Sequence, residues 1–206
     1  MRVALFTDSY HEMNGVGTLS REFAHFAERS ELPFCSVHAG DATGESRHGS
    51  VHTIELKRSP AAFALDKDLY CDPLLSRYKN LVIDRLRKFR PDLIHITGPG
   101  DMGILGFWAS NILKIPMAAS WHTNLHEYAS KRLQKAFRFA PCQVRNYIGE
   151  TAESQSLRAL MGFYRLAHFT LAPNQGMVNL LDERTGRPAY LMQHGVDADR
   201  FCPQRR

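Results

Sequence analysis

Short apolar runs alternate with amphipathic segments along the whole of this 206-residue chain. The runs at residues 3–6, 34–39, 51–56, 92–96, 116–121, 169–172 and 189–193 have the length and composition of buried strands. Helical spacing recurs between them. Val16, Leu19, Phe23 and Phe26 mark a first helix. Leu74, Tyr78, Leu81, Val82, Leu86 and Phe89 mark a second, which Pro91 stops because a proline disfavours the helical conformation in the residue before it. Asp101 has the chemistry of an N-cap for a third helix that runs to about Lys114. Residues 128–166 read as mostly helical with a break near Pro141, and residues 174–184 as a helix ended by Gly186. Residues 40–50, rich in Gly, Ser and Thr, read as a loop, and residues 59–73 as irregular.

This alternation predicts an α/β fold: a Rossmann-like parallel sheet of about seven strands with helices on both faces. Ligands of such sheets bind at the carboxyl ends of the strands, near the point where strand order reverses. The loops that matter are then residues 8–15, 97–101 and 121–127, after the first, fourth and fifth strands.

Bulk properties exclude several classes. The chain is 44% hydrophobic and 23% charged, an ordinary soluble globular balance. No apolar run approaches the roughly 20 residues of a membrane span. The apolar start, residues 3–6, is too short for a signal peptide and runs at once into Thr7-Asp8-Ser9. Cys35, Cys71, Cys142 and Cys202 are widely spaced with no C-x-x-C pair, so no disulfide or zinc site is expected and a reducing cytoplasm fits. The net charge of +5 concentrates in residues 77–90 and 128–149. Solvated helix faces are the ordinary explanation. No aromatic–basic reading module is present, so nucleic acid is not an expected partner. Lys131, Arg132, Lys135 and Arg138 interleave with Phe137 and Phe139 as in an interfacial helix, which raises peripheral contact with the inner membrane face as a second expectation.

The first loop reads Asp8-Ser9-Tyr10-His11-Glu12-Met13-Asn14-Gly15-Val16-Gly17. Asn14 suits an N-cap, and free N–H groups at a helix start suit a phosphate. The third glycine of a dinucleotide fingerprint is missing, so structural turn glycines stay as an even alternative. The second loop, Thr97-Gly98-Pro99-Gly100-Asp101, opens a helix and either shapes a cleft or makes a plain turn. The third is the richest: Trp121-His122-Thr123-Asn124-Leu125-His126-Glu127. His122 falls just past a buried strand, where side chains reach the crevice. His122 and His126 stand at i and i+4, but the order is not H-E-x-x-H and no helix is expected across His122, so no metal is expected.

Four stretches then align in order with a known family. Arg2-Val3-Ala4-Leu5-Phe6-Thr7-Asp8 with Asn14-Gly15-Val16, Pro91-Asp92-Leu93-Ile94-His95, Ser120-Trp121-His122-Thr123-Asn124, and Gly195-Val196-Asp197 with Phe201 and Pro203 resemble the N-terminal domain of the group 1 glycosyltransferases. These are retaining enzymes of the GT-B fold. The resemblance implies two Rossmann-like domains facing each other over a cleft, the N-terminal one on the acceptor side and the C-terminal one holding the donor. It implies that His122 is catalytic, facing the transferred sugar. It also implies donor or acceptor contacts from Tyr10, His11, Asn14, Gly15, Val16, Thr97, Gly98, Asp101, Thr123, Asn124 and His126. The expected donor is a UDP-, GDP- or ADP-sugar, with no tightly bound cofactor. The expected acceptor is a lipid, glycan or small molecule. Asn124, Trp121 and His194 depart from the usual Asp, Tyr and Asn of those motifs, which bears on substrate identity.

The expected organisation is an N-terminal domain over residues 1–194, the start of an interdomain linker over 195–206, and an absent C-terminal donor domain carrying the family's paired-glutamate motif. Residues 1–206 alone are then expected not to transfer sugar. Two other readings stay open: half of a sugar-nucleotide epimerase, or a standalone ligand-binding domain.

Overall fold

The fold was obtained as a computed structural model, which describes residues 1–66, 69–122, 142–193 and 195. Eight strands form one sheet in the order β10-β9-β8-β7-β1-β2-β4-β3. Seven are parallel: β1 (Val3–Thr7), β2 (Phe34–Gly40), β4 (Val51–Lys57), β7 (Leu93–Ile96), β8 (Met117–Ser120), β9 (Phe169–Ala172) and β10 (Ala189–Leu191). They are the seven apolar runs of the sequence. β1 shows why such runs declare themselves: Ala4, Leu5 and Phe6 are all fully buried, Leu5 toward one face of the sheet and Ala4 and Phe6 toward the other.

Helices cover both faces. α1 (Gly15–Arg29) packs Ala24 and Ala27 with Leu5, Phe34 and Val51. The larger core on the opposite face joins Ala4, Phe6, Ile94 and Ile96 to Leu86 of α2 (Lys79–Phe89) and to Leu105 and Ala109 of α3 (Asp101–Leu113). Met161 and Tyr164 of α4 (Cys142–Tyr164) and Val178 and Leu181 of α5 (Gln175–Thr185) extend that core. α5 starts on the Asn174 side chain, which accepts from the Met177 N–H, and it ends on Gly186 at φ 64°, the end that the sequence predicts.

Three expectations need correction. Residues 40–50 are not all loop: β3 (Gly44–His48) pairs antiparallel with β4 as the eighth strand. Every β3 residue is exposed, so no apolar run announces it, and Glu45, Arg47 and His48 give it the charged character of a protected sheet edge. Residues 59–73 are not simply irregular: β5 (Phe63–Asp66) and β6 (Leu69–Cys71) form a separate antiparallel hairpin. The second helix begins later than its apolar spacing implies, because Leu75–Tyr78 is a 3-10 turn leading into α2.

Strand order reverses at β1. The chain runs from β1 to β2 on one side and returns to β7 on the other, and the helices that follow β1 and β7, α1 and α3, pack on opposite faces, the arrangement at which such sheets bind ligands.

Candidate functional site

The carboxyl edge of the sheet is built around Asp8, the first residue after β1. Its Oδ1 accepts a hydrogen bond from the Met102 backbone N–H at 2.9 Å. A Cβ on Gly100, the N-cap of α3, would stand 2.3 Å from Asp8 Oδ2, so only glycine leaves room for the carboxylate. Burial pushes the Asp8 pKa up to about 7; the Met102 bond and Arg58 oppose this, while Asp101 and Glu12 add to it.

Asp8 therefore does the capping that the sequence assigns to Asp101. Asp101 is the first helical residue, not the cap. Its carboxylate accepts from the Asp72 backbone N–H at 2.5 Å and ties α3 to the end of the β5–β6 hairpin. Asp72 in turn accepts from the backbone N–H and hydroxyl of Ser59, each at 2.6 Å. Burial pushes the Asp72 pKa up, but the Ser59 and Leu74 bonds and the Arg77 guanidinium hold it below the ordinary carboxylate value.

The loop between β1 and α1 is held from several sides. Asn14 caps α1 by accepting from the Gly17 N–H at 2.8 Å and also donates toward Ser9 Oγ at 3.4 Å. Space is open around Gly15, and Val16 is partly exposed, so the start of α1 faces outward. Arg58, just past β4, pairs with Glu12 at 2.8 Å and lies 4.9 Å from the centre of the Tyr70 ring. Glu12 Oε2 is buried with no hydrogen-bond partner among the described residues.

Tyr10 stacks on His38, with ring centroids 3.9 Å apart and planes 4° from parallel. His11 meets both rings edge-on and lies 3.7 Å from Glu55 Oε1. His38, at the end of β2, is buried, and that burial lowers its pKa to about 3, with the charges of His11 and Arg58 acting in the same direction.

The fourth-strand loop stays close to the core. Thr97 is buried and donates its N–H to the Phe6 carbonyl at 3.0 Å, with Gly98 next to it. His95 is a core histidine: its Nε2 contacts Ser120 Oγ at 2.5 Å, and burial lowers its pKa to about 4. Trp121 is buried against Tyr164. His122 follows it, half-buried, two strands along the sheet from β1. Thr123, Asn124, His126 and His194 lie outside the described residues, as does the basic patch Lys131, Arg132, Lys135 and Arg138. Among the described residues, no helix is long and apolar enough to cross a membrane.

The structure thus gathers Tyr10 and His11 with His38, Glu12 and Arg58, and sets the Asn14–Gly15 turn beside them. His38, Glu55 and Arg58 are absent from the sequence-derived site. A positional signal existed, since His38 and Arg58 stand at the carboxyl ends of the second and third apolar runs.

With this geometry in place, comparison with known proteins is decisive. The sequence matches the family model described as Glycosyltransferase Family 4 over residues 13–200. The chain belongs to that family. Membership agrees with the resemblance read from residues 2–8, 91–95, 120–124 and 195–203, and the fold is the Rossmann-like half of the GT-B architecture. No match is found among the curated proteins. Among solved structures, sucrose-phosphate synthase from Thermosynechococcus elongatus is similar at TM-score 0.57 and 11% identity, covering 100% of this chain and 95% of that one. HepE of Anabaena, in complex with UDP and glucose, is similar at TM-score 0.53 and 13% identity, covering 97% of this chain and 46% of that one. UDP-N-acetylglucosamine 2-epimerase from Rickettsia bellii is similar at TM-score 0.50 and 15% identity, covering 99% of this chain and 48% of that one. The chain thus spans about half the length of the HepE and epimerase structures.

Proposed function

We propose that this domain is the acceptor side of a retaining glycosyltransferase, acting with a donor-binding domain that presents a nucleotide-sugar. The observation that carries the reading is the meeting of two loops at the reversal of strand order. The loop after β1 crosses to the start of α3 through the Asp8–Met102 hydrogen bond. Family membership supports the transferase class. The UDP in the HepE complex supports a nucleoside-diphosphate leaving group, with UDP, GDP and ADP all fitting that chemistry.

In this reading the outward-facing start of α1, at Asn14, Gly15 and Val16, offers backbone N–H groups and a positive dipole end to donor phosphate. Tyr10, His11, Thr97 and Gly98 line the acceptor side, and Asp101 braces it through Asp72. Glu12 Oε2, buried and unpaired among the described residues, suits an acceptor hydroxyl. Thr123, Asn124 and His126, close to His122 in sequence, are further donor or acceptor contacts in this reading. The acceptor oxygen attacks the anomeric carbon on the face from which the diphosphate departs, and a diphosphate oxygen takes the acceptor proton. A neutral His122 hydrogen-bonds a sugar hydroxyl as the glycosidic bond loosens. No pair of carboxylates is needed for this chemistry, unlike hydrolytic retention.

The test is turnover by the complete enzyme carrying His122→Ala. Loss of a hydrogen bond made in the transition state costs on the order of 100-fold in rate. Turnover near wild type would remove His122 from the mechanism. Residues 1–206 alone should release no sugar from UDP-, GDP- or ADP-glucose.

A sugar-nucleotide epimerase is the second reading, favoured by the Rickettsia bellii neighbour. It predicts 2-epimerisation of UDP-N-acetylglucosamine by the complete enzyme with no acceptor present. Peripheral membrane contact through Lys131, Arg132, Lys135 and Arg138 is a separate proposal, supported by their mixture with Phe137 and Phe139. Unchanged liposome binding after neutralising all four would remove it.

A further inference from the structure

We propose that His11, His38 and Glu55 form a binding site for a divalent ion of the zinc type, a role that the sequence spacing of these residues does not announce. One ligand atom from each lies within 4.8 Å of the other two. Zinc held by nitrogen and oxygen at about 2.0–2.2 Å sets its ligand atoms about 3.4 Å apart in tetrahedral geometry. His11 Nε2 already stands 3.7 Å from Glu55 Oε1. The His11 side chain is 53% exposed, so a small shift of it toward the other two ligands leaves the core undisturbed. Two imidazoles and a carboxylate are a ligand set that zinc accepts with a fourth position left open.

The surroundings are those of a supported site. Ser36 Oγ lies 3.3 Å from His38 Nδ1, which orients the ring and leaves Nε2 as the coordinating nitrogen. Tyr10 stacks over the same ring and fixes its plane. Glu55 Oε1 accepts the backbone N–H groups of Asp41 and Ala42 at 3.1 and 3.5 Å. It lies across Gly40, where a Cβ would stand 1.9 Å from the oxygen. Arg58 is the opposing charge, and its ion pair with Glu12 offsets it. The ion would join the loop after β1 to the ends of β2 and β4, on the edge that carries the proposed acceptor side. The site stands independently of the transferase reading, and its test reads binding rather than activity.

The test is zinc titration of the chelator-stripped 206-residue chain by calorimetry, with cobalt substitution read by visible absorption. The wild type should bind one equivalent with micromolar or tighter affinity. His11→Ala should weaken binding at least about tenfold. Gly40→Ala should do likewise, because its methyl group meets Glu55 from Cγ to the carboxylate and no backbone atom, and an unchanged unfolding midpoint would show that the fold is kept. The cobalt form should lack a thiolate charge-transfer band. Absence of a stoichiometric ion in the wild type, wild-type affinity in both variants, or a thiolate band would each overturn the site.

Discussion

Asp8 Oδ1 accepts a hydrogen bond from the Met102 N–H at 2.9 Å, so the loop after β1 caps the helix after β7. The contact joins residues 94 apart in sequence, at the point where strand order reverses. Asp8 also contributes a pH response to the domain. The Asp8 pKa is raised from 3.8 to about 7 in the fold, first by burial. A raised acid binds its proton more tightly when folded. Its contribution to stability is therefore full below pH 3.8 and is lost as pH rises to about 7. The slope is at most about 1.4 kcal/mol per pH unit. Asp8→Asn keeps an oxygen acceptor for Met102 and removes the charge. Urea unfolding from pH 4 to 8 should show the variant gaining on the wild type across that window. Parallel curves would contradict the raised pKa.

The same carboxylate makes Gly100 intolerant of a side chain. Gly100→Ala places a methyl group against Asp8 Oδ2. Forcing such a contact costs about 1–3 kcal/mol, measured by denaturant unfolding. In an Asp8→Ala background the same substitution should cost clearly less, because the clashing partner is gone. Additive effects would show that the two residues do not meet.

Arg58 and Glu12 are mostly buried as a pair, with side chains 19% and 10% exposed. Removing one partner leaves an uncompensated buried charge, so Arg58→Ala should destabilise by roughly 3 kcal/mol at neutral pH. Combining it with Glu12→Gln should recover a large part of that loss. A double-mutant cycle by chemical denaturation reads this coupling directly.

Asn14→Ala should cost about 1 kcal/mol through loss of the α1 cap, read as a lowered unfolding midpoint. In the complete enzyme it should also weaken binding of the nucleoside diphosphate, because the start of α1 loses its order. Asn14→Asp restores the cap yet sets a negative charge where the proposed donor phosphate would lie. It should recover stability without recovering nucleotide affinity.

The limits of sequence reading follow the range of the forces involved. The β1 run was legible because a strand buried on both faces must be apolar throughout. The caps at Asn14 and Gly186 were legible because capping acts within three or four residues. β3 was not, since an exposed edge strand carries polar residues and owes its conformation to pairing with β4. Asp101 sits where a cap belongs, but Asp8 already occupies that place from 93 residues upstream, and Asp72 engages the Asp101 carboxylate instead.

The sequence by itself determined the alternation of strand and helix, and with it a parallel sheet whose carboxyl edge is the expected ligand edge. Its ordered motifs also determined the family. Only the tertiary structure decided which side chains meet on that edge. Strand order puts β1 between β2 and β7 and sets β4 beyond β2, and this brings Asp8 to Met102 and His11 to His38 and Glu55. Periodicity records which face of an element is buried; it carries no information about which distant element will lie beside it.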